Sequence, residues 1–438
     1  FLLLVLIDSA VYNNKVHAGI TVAGRSVSGL TRDEAVAVLG ELLGLRRAAA
    51  GDAVTHLALP NAANPKFYVP VTHRKAAVAS CLAYNGLRPP SIARRRAAVG
   101  WGLRFGLVQR MRGTPMTSGT PSGRFAASEG DPPASLVDEL ARRLGYDELC
   151  AATSPRVVDP FWTPTLQLFD RAGSPVGYAK VGWTDLTRTQ VTAEADAVTQ
   201  LAGLPDRSFV SPLAIDRFSW RNTVVSVTAP MPPDVTRVTE DDGPFPQALA
   251  DVAGLDGPVR MAAFGSSGGA AWADRLVDDP GGVPSWAHTL FADAWAMASD
   301  QLGASAVLLG RWHGDWVPWN VARTVSQLWV WDWEYSGADR PVGLDAYHWY
   351  YQQARIVEGA GLVAALDAAC LHGARHLDSL GVGRETEPVI AAAHVLELAA
   401  RSVNASRLGA PGAERLLDDL PALCEALVAR SRRADPLR

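Results

Sequence analysis

The chain is poor in cysteine: four occur in 438 residues, at positions 81, 150, 370 and 424, with no CxxC pair. That spacing offers neither a zinc knuckle nor the dense disulfide framework of a small secreted domain, and it fits a reducing compartment. The apolar run at the start, "FLLLVLID", holds seven apolar residues, short of the roughly twenty needed to span about 30 Å of hydrocarbon. It reads either as a buried strand or as the tail of a longer transmembrane or signal segment. Acidic residues are missing from 53 to 128, where eleven Lys and Arg stand; the other 30 basic residues face 45 acidic ones, so a net charge of −4 divides into +11 and −15. Such a segment is a solvated basic face, or it docks the acidic body, an anionic membrane surface or a phosphate-bearing ligand. No recognition helix, zinc finger or stacking platform accompanies the charge, so nucleic acid is not an expected partner.

What is there, 48% hydrophobic and 20% charged residues, is an ordinary globular composition with room for two or three domains. After the apolar start, "HAGITVAGRSVSGLTRDEAVAVLGELLG" reads as short strands and a helix opened by a Thr31–Glu34 capping box. The stretch "LALPNAANPKFYVPV" suggests a strand with proline-marked edges, "HRKAAVASCLAYNGL" a helix stopped at Gly86, and "TPMTSGTPSG" at 114–123 a loop or linker. "DPPASLVDELARRLG" returns to helical periodicity with Pro133 near its first turn and Gly145 at its end. Two β runs joined by a turn at 170–174 follow, then a helix at "TAEADAVTQLAGL" and a strand pair in "FSWRNTVVSVTAPMPP". From Phe245 helices dominate, broken by a strand, turn and strand around "WNVARTVSQLWVWD". Strands first and helices later predict an α+β protein with two lobes, a small antiparallel-sheet lobe and a larger helical one, behind an extra N-terminal region. The expected division is 1–50, 51–150 (basic, with a linker), 151–232 (sheet lobe) and 233–438 (helical lobe).

Residues 313–320 read "HGDWVPWN", and "WDWE" begins at 331, so Asp315 precedes Asn320 by five and Asn320 precedes Asp332 by twelve. Phosphoryl transfer asks for an aligned acceptor hydroxyl, a gripped γ-phosphate and divalent metal to absorb charge. Asp315 is the candidate base beside the acceptor hydroxyl, while His313 and Gly314 shape the loop. The Asn320 amide oxygen and the Asp332 carboxylate suit Mg²⁺, which prefers oxygen ligands. The α and β phosphates call for a strand lysine held by a helix glutamate, and Lys180 and Glu194 stand fourteen apart in that order.

"WHGDWVPWN", "WVWDWEYSG" and "GLDAYHW" resemble the aminoglycoside phosphotransferase and choline kinase type of small-molecule kinases, over residues 150–438. The resemblance implies a protein-kinase-like fold, ATP and Mg²⁺ as cofactors and a small-molecule hydroxyl as acceptor. It makes Asp315 the catalytic residue, Asn320 and Asp332 the metal ligands, and Lys180 with Glu194 the pair that positions ATP. Asp345 would brace the loop, and "TAPMPP" at 228–233 would be the hinge beside the adenine. A departure stands at "CAATSPRVVDPFW", 150–162, which has no glycine where a phosphate-covering loop is expected. Either Ser154 and Arg156 substitute, or nucleotide binding is altered. Further upstream, "GITVAGRSVSGLTRDEA" resembles the small peptidoglycan-binding-like modules found ahead of vancomycin-resistance W-type domains, which implies an extracytoplasmic module.

Six of the fourteen tryptophans fall between 312 and 333, an aromatic wall for a sugar or quaternary ammonium or simply core, with Trp316 and Trp319 the ones expected to see substrate. Two readings compete with a kinase. "GSSGG" at 265–269 fits the local form of a hydrolase nucleophile elbow with Ser267 as nucleophile. A pseudokinase or cell-envelope binding protein without turnover is the other. The expectation is an ATP-dependent kinase in the cytoplasm, with membrane or envelope association through the N-terminus left open, as are the acceptor's identity and the oligomeric state.

Overall fold

The computed structural model describes residues 21–22, 25–26, 32–107, 113–128, 135–155, 159–204, 207–265 and 270–433. The apolar start, the Thr31 half of the capping box, most of the peptidoglycan-module-like stretch, Arg156 and Ser267 lie outside them. From residue 30 onward the chain forms two compact units, 30–192 with 212–236, and 193–211 with 237–438. The architecture is α+β: an antiparallel-sheet unit and a helix-rich one.

The first unit is built on one nine-stranded sheet. Its strands lie in the order Ala214–Trp220, Thr223–Thr228, Pro175–Gly182, Thr165–Phe169, Cys150–Thr153, Phe67–Pro70, His56–Leu59, Thr114–Thr117 and Arg46–Arg47. Each neighbouring pair is antiparallel. Side chains alternate between faces, so Ala151, Tyr68 and Leu166 join one apolar cluster with the helices Arg32–Leu43 and Leu136–Leu144. Their neighbours Cys150, Ala152 and Val69 pack on the other side with the helices Arg74–Leu82 and Pro90–Arg104.

Sequence expectations and structure differ at two places here. The segment expected as a loop at 114–123 contributes the strand Thr114–Thr117, because its backbone completes ladders with His56–Leu59 and Arg46–Arg47 that local turn propensity does not reveal. The helix expected to reach Gly86 ends at Leu82, where Ala83 turns extended and a separate 3₁₀ turn covers Asn85–Leu87. The helix Leu136–Leu144 is capped by Ser135, whose hydroxyl accepts from the Asp138 amide at 3.2 Å while Asp138 accepts from the Ser135 amide at 3.1 Å, and ends at Gly145 as expected; Pro133 lies outside the described residues. That reciprocal cap contributes about 1 kcal/mol.

The second unit packs a single apolar core around the helix Glu387–Arg407, which is buried along most of its length. The helices Ser285–Leu302 and Leu420–Arg433 pack on each other and on that central helix. Two small sheets are set into this framework. In one, Arg260–Ala263, Ala306–Trp312 and Gly337–Pro341 run antiparallel; in the other, Val321–Arg323 and Leu328–Val330 form the expected hairpin, with Phe209–Val210 added in parallel. The strand ahead of the "GSSGG" segment is thus antiparallel to its neighbour, not part of the parallel sheet that a nucleophile elbow requires. Among the described residues no helix is long and apolar enough to cross a membrane.

His56 provides a test of the first unit's burial. Its Nε2–H donates to the Ala151 carbonyl at 3.1 Å, Nδ1 sits 3.0 Å from the Thr55 hydroxyl, and burial pulls its pKa from 6.5 down to about 4. As pH falls from 6.5 towards 4 the unfolded chain takes up a proton that the folded chain refuses, so stability is lost through that window. The full effect is about 3 kcal/mol. Urea unfolding at pH 7 and pH 4.5 is expected to give a smaller acid loss in His56→Gln than in the parent; equal losses would show that His56 is solvated.

Candidate active site

The strand Ala306–Trp312 delivers the chain to His313, and the backbone turns sharply at Gly314 with φ of 87°. A Cβ at Gly314 would lie 2.5 Å from the Tyr335 carbonyl oxygen, so both conformation and space demand glycine. The turn is pinned by Asp345, in the first turn of the helix Leu344–Gln352. Its Oδ2 accepts from the His313 amide at 2.7 Å and its Oδ1 from the Gly314 amide at 2.9 Å. Burial pushes the Asp345 carboxyl up to about 6 against the pull of these two amides. The bracing role implied for Asp345 therefore has a direct geometric counterpart.

His313 is a structural crosslink. The Asp315 amide donates to its Nδ1 at 3.1 Å, which leaves Nε2 to carry the proton and donate to the Trp331 carbonyl at 3.1 Å. Full burial brings its pKa down to about 4, so the ring is neutral at physiological pH. Trp316 and Trp333 pack against it with ring centroids 5.6 and 4.4 Å away.

Asp315 is held by both carboxylate oxygens. His348 Nε2 lies 3.1 Å from Oδ1, and the Asn320 amide donates to Oδ2 at 2.7 Å. With 22% of its side chain exposed, Asp315 remains reachable, whereas His348 is buried. Burial opposes ionisation of Asp315, but the His348 hydrogen bond, with the Arg401 charge nearby, outweighs it and holds the carboxyl below its usual range. Behind His348, His394 Nε2 stands 3.4 Å from His348 Nδ1. One neutral tautomer set satisfies the chain: His394 Nε2–H to His348 Nδ1, and His348 Nε2–H to Asp315. Burial holds both imidazoles below their ordinary pKa, which keeps them in that neutral form.

The Asn320 nitrogen faces Asp315, so its Oδ1 is the end that could meet a cation. Asn320 and Asp332 sit at the open end of the Val321–Arg323 and Leu328–Val330 hairpin, where the Trp331 amide donates to the Asn320 carbonyl at 3.2 Å. Asp332 adopts φ of 65°, a left-handed conformation uncommon for a non-glycine residue. Its carboxylate, with those of Glu194 and Glu334, forms a group whose ligand atoms all lie within 4.8 Å of one another. Carboxylates this close favour cationic charge between them, and hard oxygen donors fit Mg²⁺.

Asp315, Asn320 and Asp332 thus belong to one neighbourhood of the second unit, as the spacing predicts. Glu194, from the helix Asp185–Ala202, joins Asp332 there. Lys180 lies in the first unit, on the strand Pro175–Gly182, paired across the ladder with Thr165 and Ser226. Trp316, expected to meet substrate, is fully buried and donates its indole N–H to the Pro244 carbonyl at 3.0 Å; Trp319 is exposed. Sequence reasoning gave no role to His348, Glu334, His394 or Arg401. His348 and Glu334 do lie inside the quoted motifs, but His394 and Arg401 come from a distant helix with no local signal.

No protein-family model and no curated protein matches the chain. Among solved structures, a thermostable mutant of the aminoglycoside phosphotransferase APH(4)-Ia in its apo form shares 12% identity, covering 69% of this chain and 100% of that one at a TM-score of 0.45. A choline/ethanolamine kinase family protein from Mesorhizobium loti shares 15% over 63% of this chain and 90% of that one, at 0.37. Amicoumacin kinase hAmiN, in complex with AMP-PNP, Ca²⁺ and Ami, shares 14% over 59% and 86%, at 0.34. At identities and TM-scores of this size the chemistry rests on the residues.

The carboxylate group gives a direct check that needs no turnover. Mg²⁺ at a hundred times its dissociation constant is expected to stabilise the protein by about 2.7 kcal/mol, seen as a rise in thermal midpoint, and Asp332→Asn is expected to abolish most of that rise. An equal rise in the variant would remove Asp332 from the metal site.

Proposed function

We propose that the protein is an ATP-dependent phosphotransferase that moves the γ-phosphoryl group to a hydroxyl of a small molecule such as an aminoglycoside, a sugar or an amino alcohol. The observation that carries this reading is the Asp315 carboxylate, clamped by His348 and Asn320, open to a ligand, and mounted on a loop that Asp345 fixes. A carboxylate fixed at both oxygens can still accept from a third donor, and an acceptor hydroxyl is the donor the reaction requires. Its oxygen bonds to the γ-phosphorus, the bond to the bridging oxygen of ADP breaks, and the hydroxyl proton passes to Asp315. Because Asp315 is held below its usual pKa, it is a weak base. Its main contribution is to aim the hydroxyl, with proton capture late in the transfer.

Asn320 and Asp332, with Glu334 and Glu194 beside Asp332, would hold Mg²⁺. The metal, when bound, supplies charge neutralisation on the β and γ phosphates. Lys180 is assigned to the α and β phosphates on the motif order. A second reading, nucleotide binding without turnover, draws support from the glycine-free segment at 150–162, which begins with the strand Cys150–Thr153 and leads towards Thr165–Phe169.

A screen of acceptor alcohols for ATP consumption separates the two. With an accepted substrate, Asp315→Ala is expected to lower kcat by about 10²- to 10⁴-fold while ATP still binds. His348→Gln should lower kcat less and leave KM for ATP near the parent value. ATP binding with no turnover on any acceptor would favour the pseudokinase, and full turnover in Asp315→Ala would end the kinase mechanism.

A further inference from the structure

The helix Pro90–Arg104 turns Arg94, Ala98 and Trp101 to solvent, and Phe105 continues the same stripe at spacings of four, three and four. Exposure along its far end is high for such residues: Phe105 71%, Trp101 48% and Leu107 42%. The Trp101 and Phe105 rings stack with centroids 6.0 Å apart, and the Arg104 guanidinium lies 5.3 Å over Trp101. Three large apolar side chains within seven residues make a patch that is unfavourable in water unless something covers it.

Charge selects what that is. The helix packs on Arg74–Leu82 and the Asn85–Leu87 turn, and residues 74–104 contain seven basic residues and no acidic one. Arg94 and Arg104 flank the apolar stripe, and Arg74 and Lys75 add exposed charge to the same helix pair. Of the carboxylates near its margin, Glu148 is engaged by His73 at 3.0 Å and Arg171 at 2.9 Å, and Asp170 accepts from the Ser174 amide at 2.7 Å within its own turn.

We propose that this surface docks the protein on an anionic lipid membrane. Trp101, Phe105 and Leu107 enter the boundary between headgroups and acyl chains, Arg94 and Arg104 meet lipid phosphates, and the wider basic field draws the surface in. Nucleic acid shares the negative charge but offers nothing for Leu107 to enter. The flat sheet faces on which bases would stack are packed by helices on both sides. Attachment of this kind is peripheral and reversible, and it is independent of the chemistry proposed at Asp315.

Sedimentation of the full chain with phosphatidylcholine vesicles, with and without phosphatidylserine, tests the proposal. Binding is expected only to the anionic vesicles. It should weaken about tenfold or more in the double variant Trp101→Ser, Phe105→Ser, weaken similarly in Arg94→Glu, Arg104→Glu, and fade at high salt. Circular dichroism and thermal midpoint verify that the variants stay folded; all four positions are exposed and outside the Asp315 site. No binding, equal binding to neutral vesicles, or anionic binding untouched by the aromatic double variant would overturn it. So would tighter binding to a single-stranded oligonucleotide that is lost in the same variants.

Discussion

Two backbone amides converging on the Asp345 carboxylate fix the position of everything else in the site. Without that acceptor the buried N–H groups of His313 and Gly314 would be unpaired, at about 1–3 kcal/mol each. The arrangement is not free. Holding a buried carboxylate whose pKa rises from 3.8 to about 6 costs about 3 kcal/mol at neutral pH, because the folded state binds its proton more tightly than the unfolded one. The sign is thus opposite to that of Asp315, which its neighbours hold below the usual range. One carboxylate is placed at a cost to hold the loop, and the other is stabilised as an anion at the proposed point of chemistry.

From this loop the packing extends outward. His313 joins the loop to Trp331, the residue before Asp332, so the Asp315 and Asp332 segments share one neutral, buried crosslink. The central helix Glu387–Arg407 supports the same region from behind. Arg401 donates to the Gly314 carbonyl and lies 4.2 Å over the Tyr335 ring, and Glu397 pairs with Arg340 at 2.6 Å. Much of the tryptophan wealth belongs to this support. Trp312, Trp316 and Trp333 are buried, Trp329 and Trp331 are half-buried, and Trp319 alone of the six between 312 and 333 is exposed. The dry surroundings strengthen each charged hydrogen bond at Asp315 and leave little water to compete for it.

The parts of this site that were legible in the sequence are those set by local spacing. Five residues from Asp315 to Asn320 fit one loop, and twelve to Asp332 fit one short hairpin, so both ends meet whatever surrounds them. The hairpin Thr165–Phe169 and Pro175–Gly182 was equally plain from its turn residues. What escaped depends on long-range partners. The strand Thr114–Thr117 exists because two other strands offer it ladders, and its own Thr, Pro and Ser content points to a loop. His394 stands 79 positions after Asp315 and reaches it only through His348. Trp316 looked like a substrate contact from its place in the loop, yet its indole N–H and ring both turn into the core.

The proposed function requires that a polyphosphate be held, and proteins have two physical means of doing so. Backbone amides in a glycine-rich turn supply many weak donors that side chains would otherwise keep at a distance. A divalent ion between carboxylates supplies fewer, stronger contacts, and it acts on the β and γ phosphates where charge develops during transfer. With Glu194, Glu334 and Asp332 gathered within 4.8 Å, the second unit would offer the latter kind of grip on the proposed reading. On the proposed reading, a glycine-free segment at 150–162 would weaken ground-state nucleotide binding more directly than alignment at Asp315. On the proposed reading, an Asp315 held by His348 and Asn320 would serve transfer to a hydroxyl, whereas binding alone would need no carboxylate fixed in that manner.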